Sequence, residues 1–176
     1  MTFAHDTNAA LLAAVALVNS AEEPDTMTML AQLEAFYVEH GYAGSRAHDS
    51  AELESVRALR RPLRELLTSD RDRAAEIVNR MLADHDASPR LVRHDGWDYH
   101  LHTIDSAAPL ADRIAVETAV AMADVIRADE MSRLSVCAHE SCAGIVVDLS
   151  RNRSRRFCST TCGNRVAVAA YRARKA

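Results

Sequence analysis

The chain has 176 residues, 48% hydrophobic and 26% charged, with five glycines and four prolines, which excludes a disordered, collagen-like or low-complexity polymer. The length admits one compact domain with a small appendage, because a self-sufficient core takes on the order of 100 residues. The net charge of −4 is the sum of two unlike regions: Arg133 to Ala176 holds nine Lys/Arg against two Asp/Glu (+7), and residues 1–132 hold 12 against 23 (−11), an asymmetry that points to an anionic partner such as nucleic acid for the basic part.

In chain order, Asp6 or Thr7 is expected to cap a first helix whose apolar positions are Leu11, Leu12, Val15 and Val18, ending at Asn19-Ser20. A second helix is predicted through Met27, Leu30, Leu33, Ala35 and Phe36, stopped by Gly41. A third follows Leu53, Val56, Leu59, Leu63, Leu66 and Leu67, with Pro62 expected to kink or interrupt it, since an interior proline loses a donor and clashes with the preceding turn. A fourth runs through Ala74, Ile77, Val78, Met81 and Leu82. The period then changes: Leu91 to His94 and Trp97 to Ile104 flank Asp95-Gly96, and a two-stranded hairpin is predicted. From Leu110 to Ile126 the helical period returns. No Gly, Ser or Pro linker separates this helix from the basic region, so the two units are expected to pack together.

Several function classes fall away on these grounds. The first basic residue is Arg46, and the apolar run Ala9 to Val18 has no cationic flank and is too short to span a bilayer. The expectation is a cytoplasmic protein with reduced thiols and no membrane partner. There is no nucleophile elbow and no phosphate loop. The hairpin histidines His94, His100 and His102, with Asp95, Asp98 and Asp105, could hold a metal or do acid/base work, because His100 and His102 share one strand face. Against that reading, they lack a third ligand at diagnostic spacing, and polar residues are ordinary on a solvated strand face.

All four cysteines lie in the basic region, spaced Cys137-x4-Cys142-x15-Cys158-x3-Cys162. Zinc takes four thiolates in a tetrahedron and needs two close pairs brought together by a short fold, which this spacing supplies. Between the pairs, Ile145 to Val147, a polar turn over Ser150 to Ser154, and Phe157 read as a small hairpin. Ser159 or Thr160 would cap a helix running on through Tyr171. This is the arrangement of a treble-clef zinc finger, with one Zn(II) per chain and His139 left as a loop residue. About 40 residues bury too little apolar area to fold alone, so zinc would supply much of the ordering free energy. Around this frame lie Arg151, Arg153, Arg155, Arg156, Arg165, Arg172, Arg174 and Lys175. Arginine forks suit phosphate, and a cationic face gains affinity by releasing counterions.

Cys158-Ser159-Thr160-Thr161-Cys162-Gly163-Asn164-Arg165, with Ala170 to Arg174 after it and Val147 to Asn152 and Arg155-Arg156 before it, resembles the signature of CGNR zinc-finger proteins. Ala16-Leu17-Val18-Asn19-Ser20, Trp97 to His102 and the long helix resemble the ABATE domain that usually precedes that finger, although Ala16-Leu17 stands where the family carries an aspartate. The resemblance implies a bacterial transcriptional regulator whose finger contacts DNA and whose N-terminal domain senses a small-molecule effector or mediates assembly, as in a homodimer. It makes Arg151, Arg153, Arg155, Arg156, Asn164, Arg165, Arg172 and Arg174 candidates for nucleic-acid contact. Gly163 would allow close approach of a neighbouring backbone, and Asn19, Trp97, His100 and His102 become candidates for effector contact.

The expected fold is therefore α+β: a mainly helical domain with a small β-hairpin over residues 1–131, then a treble-clef-like finger over 132–176. Two other functions compete with a nucleic-acid regulator. A zinc-stabilised protein-interaction module would have its arginines engaged by carboxylates of the body. A metalloenzyme would use the hairpin histidines.

Overall fold

The structure is a computed structural model and describes residues 3–93 and 99–175, the side chain of His100 excepted. Five helices come first: α1 (His5–Asn19), α2 (Leu30–Glu39), α3 (Ser50–Ala58), α4 (Arg60–Thr68) and α5 (Arg71–Asp84). Strands β1 (Arg90–Val92) and β2 (His100–His102) follow, then α6 (Leu110–Arg127), a 3-10 turn at Met131–Arg133, β3 (Leu134–Val136), β4 (Ile145–Val147) and α7 (Thr160–Ala173).

The long helix α6 is the axis of the body. Leu110, Ile114, Val116, Ala119, Met122 and Val125 are all buried, and α1, α5 and α3 lie against it. Thr7, at the start of α1, donates its hydroxyl to Asp124, near the end of α6, at 2.7 Å, so the two helices run antiparallel. Leu11, Leu17, Leu33, Leu63, Leu66 and Leu67 fill the rest of the core.

Local sequence accounts for most helix boundaries. Asp49 accepts the Glu52 amide at 2.8 Å and Asp70 the Arg73 amide at 2.9 Å, each satisfying an amide that has no intrahelical partner. The break at Leu59 separates α3 from α4, as Pro62 demands: within the first turn of α4 its missing N–H costs nothing, whereas in one continuous helix it would strike the Ala58 carbonyl. Gly41 ends α2 at φ +66°. The expected cap of α1 differs, because the helix begins two or three residues earlier, at His5, without a side-chain cap, and places Asp6 in its first turn.

The β1–β2 hairpin forms as predicted, with Arg90 opposite His102, Leu91 opposite Leu101 and Val92 opposite His100. Its predicted turn at Asp95-Gly96 lies outside the described residues. The second hairpin is not the one the sequence suggested. β4 pairs with β3, ahead of the first cysteine pair, with Leu134 opposite Val147 and Val136 opposite Ile145. The segment toward Phe157 is instead a loop held by side chains. Asp148 accepts the backbone amides of Ser150 at 2.8 Å and Arg155 at 2.6 Å, and the buried Arg133 donates to the carbonyls of Asp148 and Ser150. Those backbone groups are spent on side chains, so no strand forms there.

β4 belongs to both units. Ile145 and Val147 join the core of the helical body while Val146, pointing the other way, packs with Cys137 and Cys162. The expected packing of finger against body is therefore present, with α1 against β4 and α4 against both strands of the hairpin.

Candidate metal centre

The β3–β4 hairpin carries the first cysteine pair at its tip. The Cys137 amide donates to the Gly144 carbonyl at 2.8 Å and the Cys142 amide to the His139 carbonyl at 2.9 Å, so the chain between the two cysteines curls into a knuckle. His139 contributes this carbonyl while its ring lies against the Ser141 hydroxyl at 3.2 Å. The second pair straddles the start of α7, where Ser159 caps the helix by accepting the Cys162 amide at 3.2 Å. The second pair therefore flanks the N-terminus of α7.

The four sulfurs all lie within 4.8 Å of one another. Two of the separations are 3.6 Å (Cys142 to Cys158) and 3.7 Å (Cys158 to Cys162). Zn–S bonds of about 2.3 Å give a tetrahedron with edges of roughly 3.8 Å, so the donor set fits one zinc ion per chain. The electrostatics agree. At Cys137, burial opposes ionisation, but hydrogen bonds from the Cys158 and His139 backbone and from neighbouring thiols outweigh it and hold its pKa below the ordinary thiol value. Cys158 is pushed up to about 12 by burial and by the three other sulfurs. Thiols this crowded resist ionising together unless a divalent cation sits among them. Gly144 makes the approach possible, since a Cβ there would lie 3.0 Å from the Cys158 sulfur.

The basic residues divide into three groups. Arg153 is tied to the body through Glu130 at 2.7 Å, and Glu130 also holds the buried Arg133 at 2.9 Å. Arg155 folds over the second cysteine pair, donating to the carbonyls of Phe157 and Cys158, and Arg156 lies over the Phe157 ring at 6.0 Å. Arg165 and Arg172 are free of ion pairs among the described residues and share one face of α7 with Thr161 and Val168; together with Asn164 and Ala169 they line an open groove of about 410 Å³. The Asn164 side chain makes no hydrogen bond among the described residues. Arg174 projects from the opposite side of the helix to Arg165, and Arg151 lies exposed in the loop. From Asn164 to Lys175 every residue of α7 and its end is exposed. The body leaves this helix uncovered.

Of the residues expected to contact an effector, Asn19 and the described part of the hairpin lie at opposite ends of α1. Asn19 lies at the end of α1, where its amide pairs with the backbone of Ile145. The hairpin sits at the other end, with the Leu101 amide against Asp6 at 3.4 Å, about 20 Å away by the rise of an α-helix. His100 and His102 occupy alternate positions of β2, and Trp97 and His94 lie outside the described residues. Among the described residues the tetracysteine cluster is the sole group of three or more potential metal ligands that come together. Residues that bear on the centre and gave no sequence signal are Arg64, Glu22 and Gly144. The first two sit in the helical body, far from the cysteines in the chain.

Two family models match the chain. Residues 133–175 match the one described as "CGNR zinc finger" and residues 12–129 the one described as "ABATE: Putative stress-induced transcription regulator". No curated protein matches it. Neither description is of an enzyme, and no helix among the described residues is long and apolar enough to cross a membrane.

Proposed function

Because the chain belongs to the ABATE family and ends in a CGNR zinc finger, we propose that it regulates transcription by placing α7 in the major groove of double-stranded DNA. The observation that carries this reading is the exposed α7 face, where Asn164, Arg165 and Arg172 stand unengaged by any carboxylate of the body among the described residues. An α-helix fits the major groove, an arginine fork reads guanine and asparagine reads adenine, which assigns base contact to Arg165 and Asn164 and leaves Arg172 to the backbone. Arg151 and Arg156, on the loop beside the helix start, add phosphate contacts. Arg153 ties the loop to the body through Glu130, and Arg155 serves the finger's own structure through the carbonyls of Phe157 and Cys158. A protein-interaction module would need its arginines held by body carboxylates, and among the described residues only Arg133 and Arg153 of the finger are held so, both by Glu130. A small-molecule signal is assigned to the helical body.

Zinc holds the two cysteine pairs together; the protein's own side chains do the recognising. The test is binding of the zinc-loaded full chain to a random duplex library, then to selected and unselected duplexes and to single-stranded RNA across a salt series. Arg165→Ala and Arg172→Ala should each weaken duplex binding by about tenfold and flatten the salt dependence, while Asn164→Ala should alter the selected sequence. Equal retention of all three variants, or preference for RNA, overturns the reading.

A further inference from the structure

We propose that Asn19 and Arg64 are positioning residues of the metal centre, so that the helical body, and not the finger alone, shapes the first cysteine pair. Asn19 is the last residue of α1, and its side-chain amide treats Ile145 as a neighbouring strand would. Its Oδ1 accepts the Ile145 N–H at 2.6 Å and its Nδ2 donates to the Ile145 carbonyl at 2.8 Å. β3 occupies one edge of β4, and Asn19 closes the other at Ile145, the first residue of the strand. Two residues earlier, the Arg64 guanidinium of α4 donates to the Ala143 carbonyl, while its other nitrogen is held by Glu22 at 3.2 Å.

Between these two anchors lies Gly144 alone. Its amide points to the Cys142 sulfur at 3.4 Å, its carbonyl accepts the Cys137 amide, and its Cα faces the Cys158 sulfur. Ala143, Gly144 and Ile145 are thus clamped from the body on both sides of the residue that touches both cysteine pairs. Holding Cys142 in place before metal arrives removes part of the ordering cost of closing a tetrahedral site. The Ala16 to Ser20 segment, whose resemblance is noted above, acquires a role here: its Asn19 side chain docks the finger.

The proposal is independent of the nucleic-acid reading, because its readout is the metal. The zinc-loaded full chain and the variants Asn19→Ala, Asn19→Asp and Arg64→Ala are challenged with a chromophoric chelator, and each is also loaded with Co(II) to read its thiolate charge-transfer and ligand-field bands. Asn19→Ala and Arg64→Ala should each release zinc about tenfold more readily, as loss of one or two hydrogen bonds implies. Asn19→Asp, which keeps the acceptor and loses the donor, should fall between, and Arg73→Ala, whose partners are Glu65 and Glu76, should not differ from the parent. Val56→Ala, a core truncation on α3, supplies a body weakened elsewhere. Unchanged release by the folded Asn19 and Arg64 variants overturns the proposal, as does equal release by Val56→Ala at matched thermal stability. Should Asn19→Ala fail to fold, Asn19→Asp and Arg64→Ala decide the question by the same criteria.

Discussion

At the scale of the residue, the two glycines of the finger have opposite standing to the one their setting in the sequence suggests. Gly163, inside the signature, was expected to permit a close approach. A Cβ there would meet the Phe157 ring at 3.4 Å, which is ordinary contact. Gly144 has no motif around it, yet a Cβ there would press on the Cys158 sulfur at 3.0 Å, its Cβ at 3.2 Å and the Cys142 sulfur at 3.4 Å. We expect Gly144→Ala to loosen metal binding by tenfold or more and to shift the Co(II) spectrum. Gly163→Ala should leave both unchanged and raise helicity slightly, since alanine is favoured over glycine within a helix by about 1 kcal/mol. Chelator competition on the two variants checks both outcomes. Spacing revealed the cysteines because thiolates must come in pairs; it could not reveal Gly144, whose neighbour Cys158 becomes adjacent only when the knuckle closes.

At the scale of the element, the helices were legible and the strands only half so. Helices α1, α2, α5 and α6 form where the periodicity places them, although Leu12 and Leu30 face solvent and Met27 lies ahead of α2, and Pro62 divides α3 from α4, because these signals act within a few residues. The second hairpin was misplaced for the opposite reason. Ile145 to Val147 reads as a strand from its own side chains, but its partner was decided by Asp148 and Arg133, which take the backbone groups that the expected strand would have used. Helix α6 carries a local conflict of another kind. Burial pushes Glu117 up to about 7, with Arg113 one turn away opposing the shift. Below the carboxyl's ordinary pKa of about 4.3 the group is protonated in both folded and unfolded chains and contributes nothing. Between there and 7 only the unfolded chain ionises, so stability falls as pH rises and levels off above 7. Glu117→Gln should therefore melt several degrees above the parent at pH 8 and together with it at pH 4, a difference that thermal scans at the two pH values read directly.

At the scale of the whole molecule, finger and body share one strand, and this predicts how the protein comes apart. Ile145 and Val147 are almost fully buried in the body core, with Asn19 and Arg64 holding the same stretch. Removing zinc should therefore do more than unfold α7. Release of β4 would withdraw two buried β-branched side chains from the body, a loss of about 3–6 kcal/mol at 1.5–3 kcal/mol for each. Calorimetry of the zinc-loaded chain should show one cooperative transition, and chelation should lower the melting temperature of the helical body as well. A body transition indifferent to the chelator would show that the strand is not shared in solution.

Spacing, periodicity and charge along short stretches of chain were enough for the acidic helical body, the basic region, the clustered cysteines and most helix ends. Only the tertiary structure decided that α7 stands clear of the body, that Arg153 belongs to Glu130, and that Asn19 grips Ile145. Those outcomes join residues up to 126 positions apart. Which backbone group an amide or guanidinium finds at such a distance depends on how the helices pack, and no local pattern encodes it.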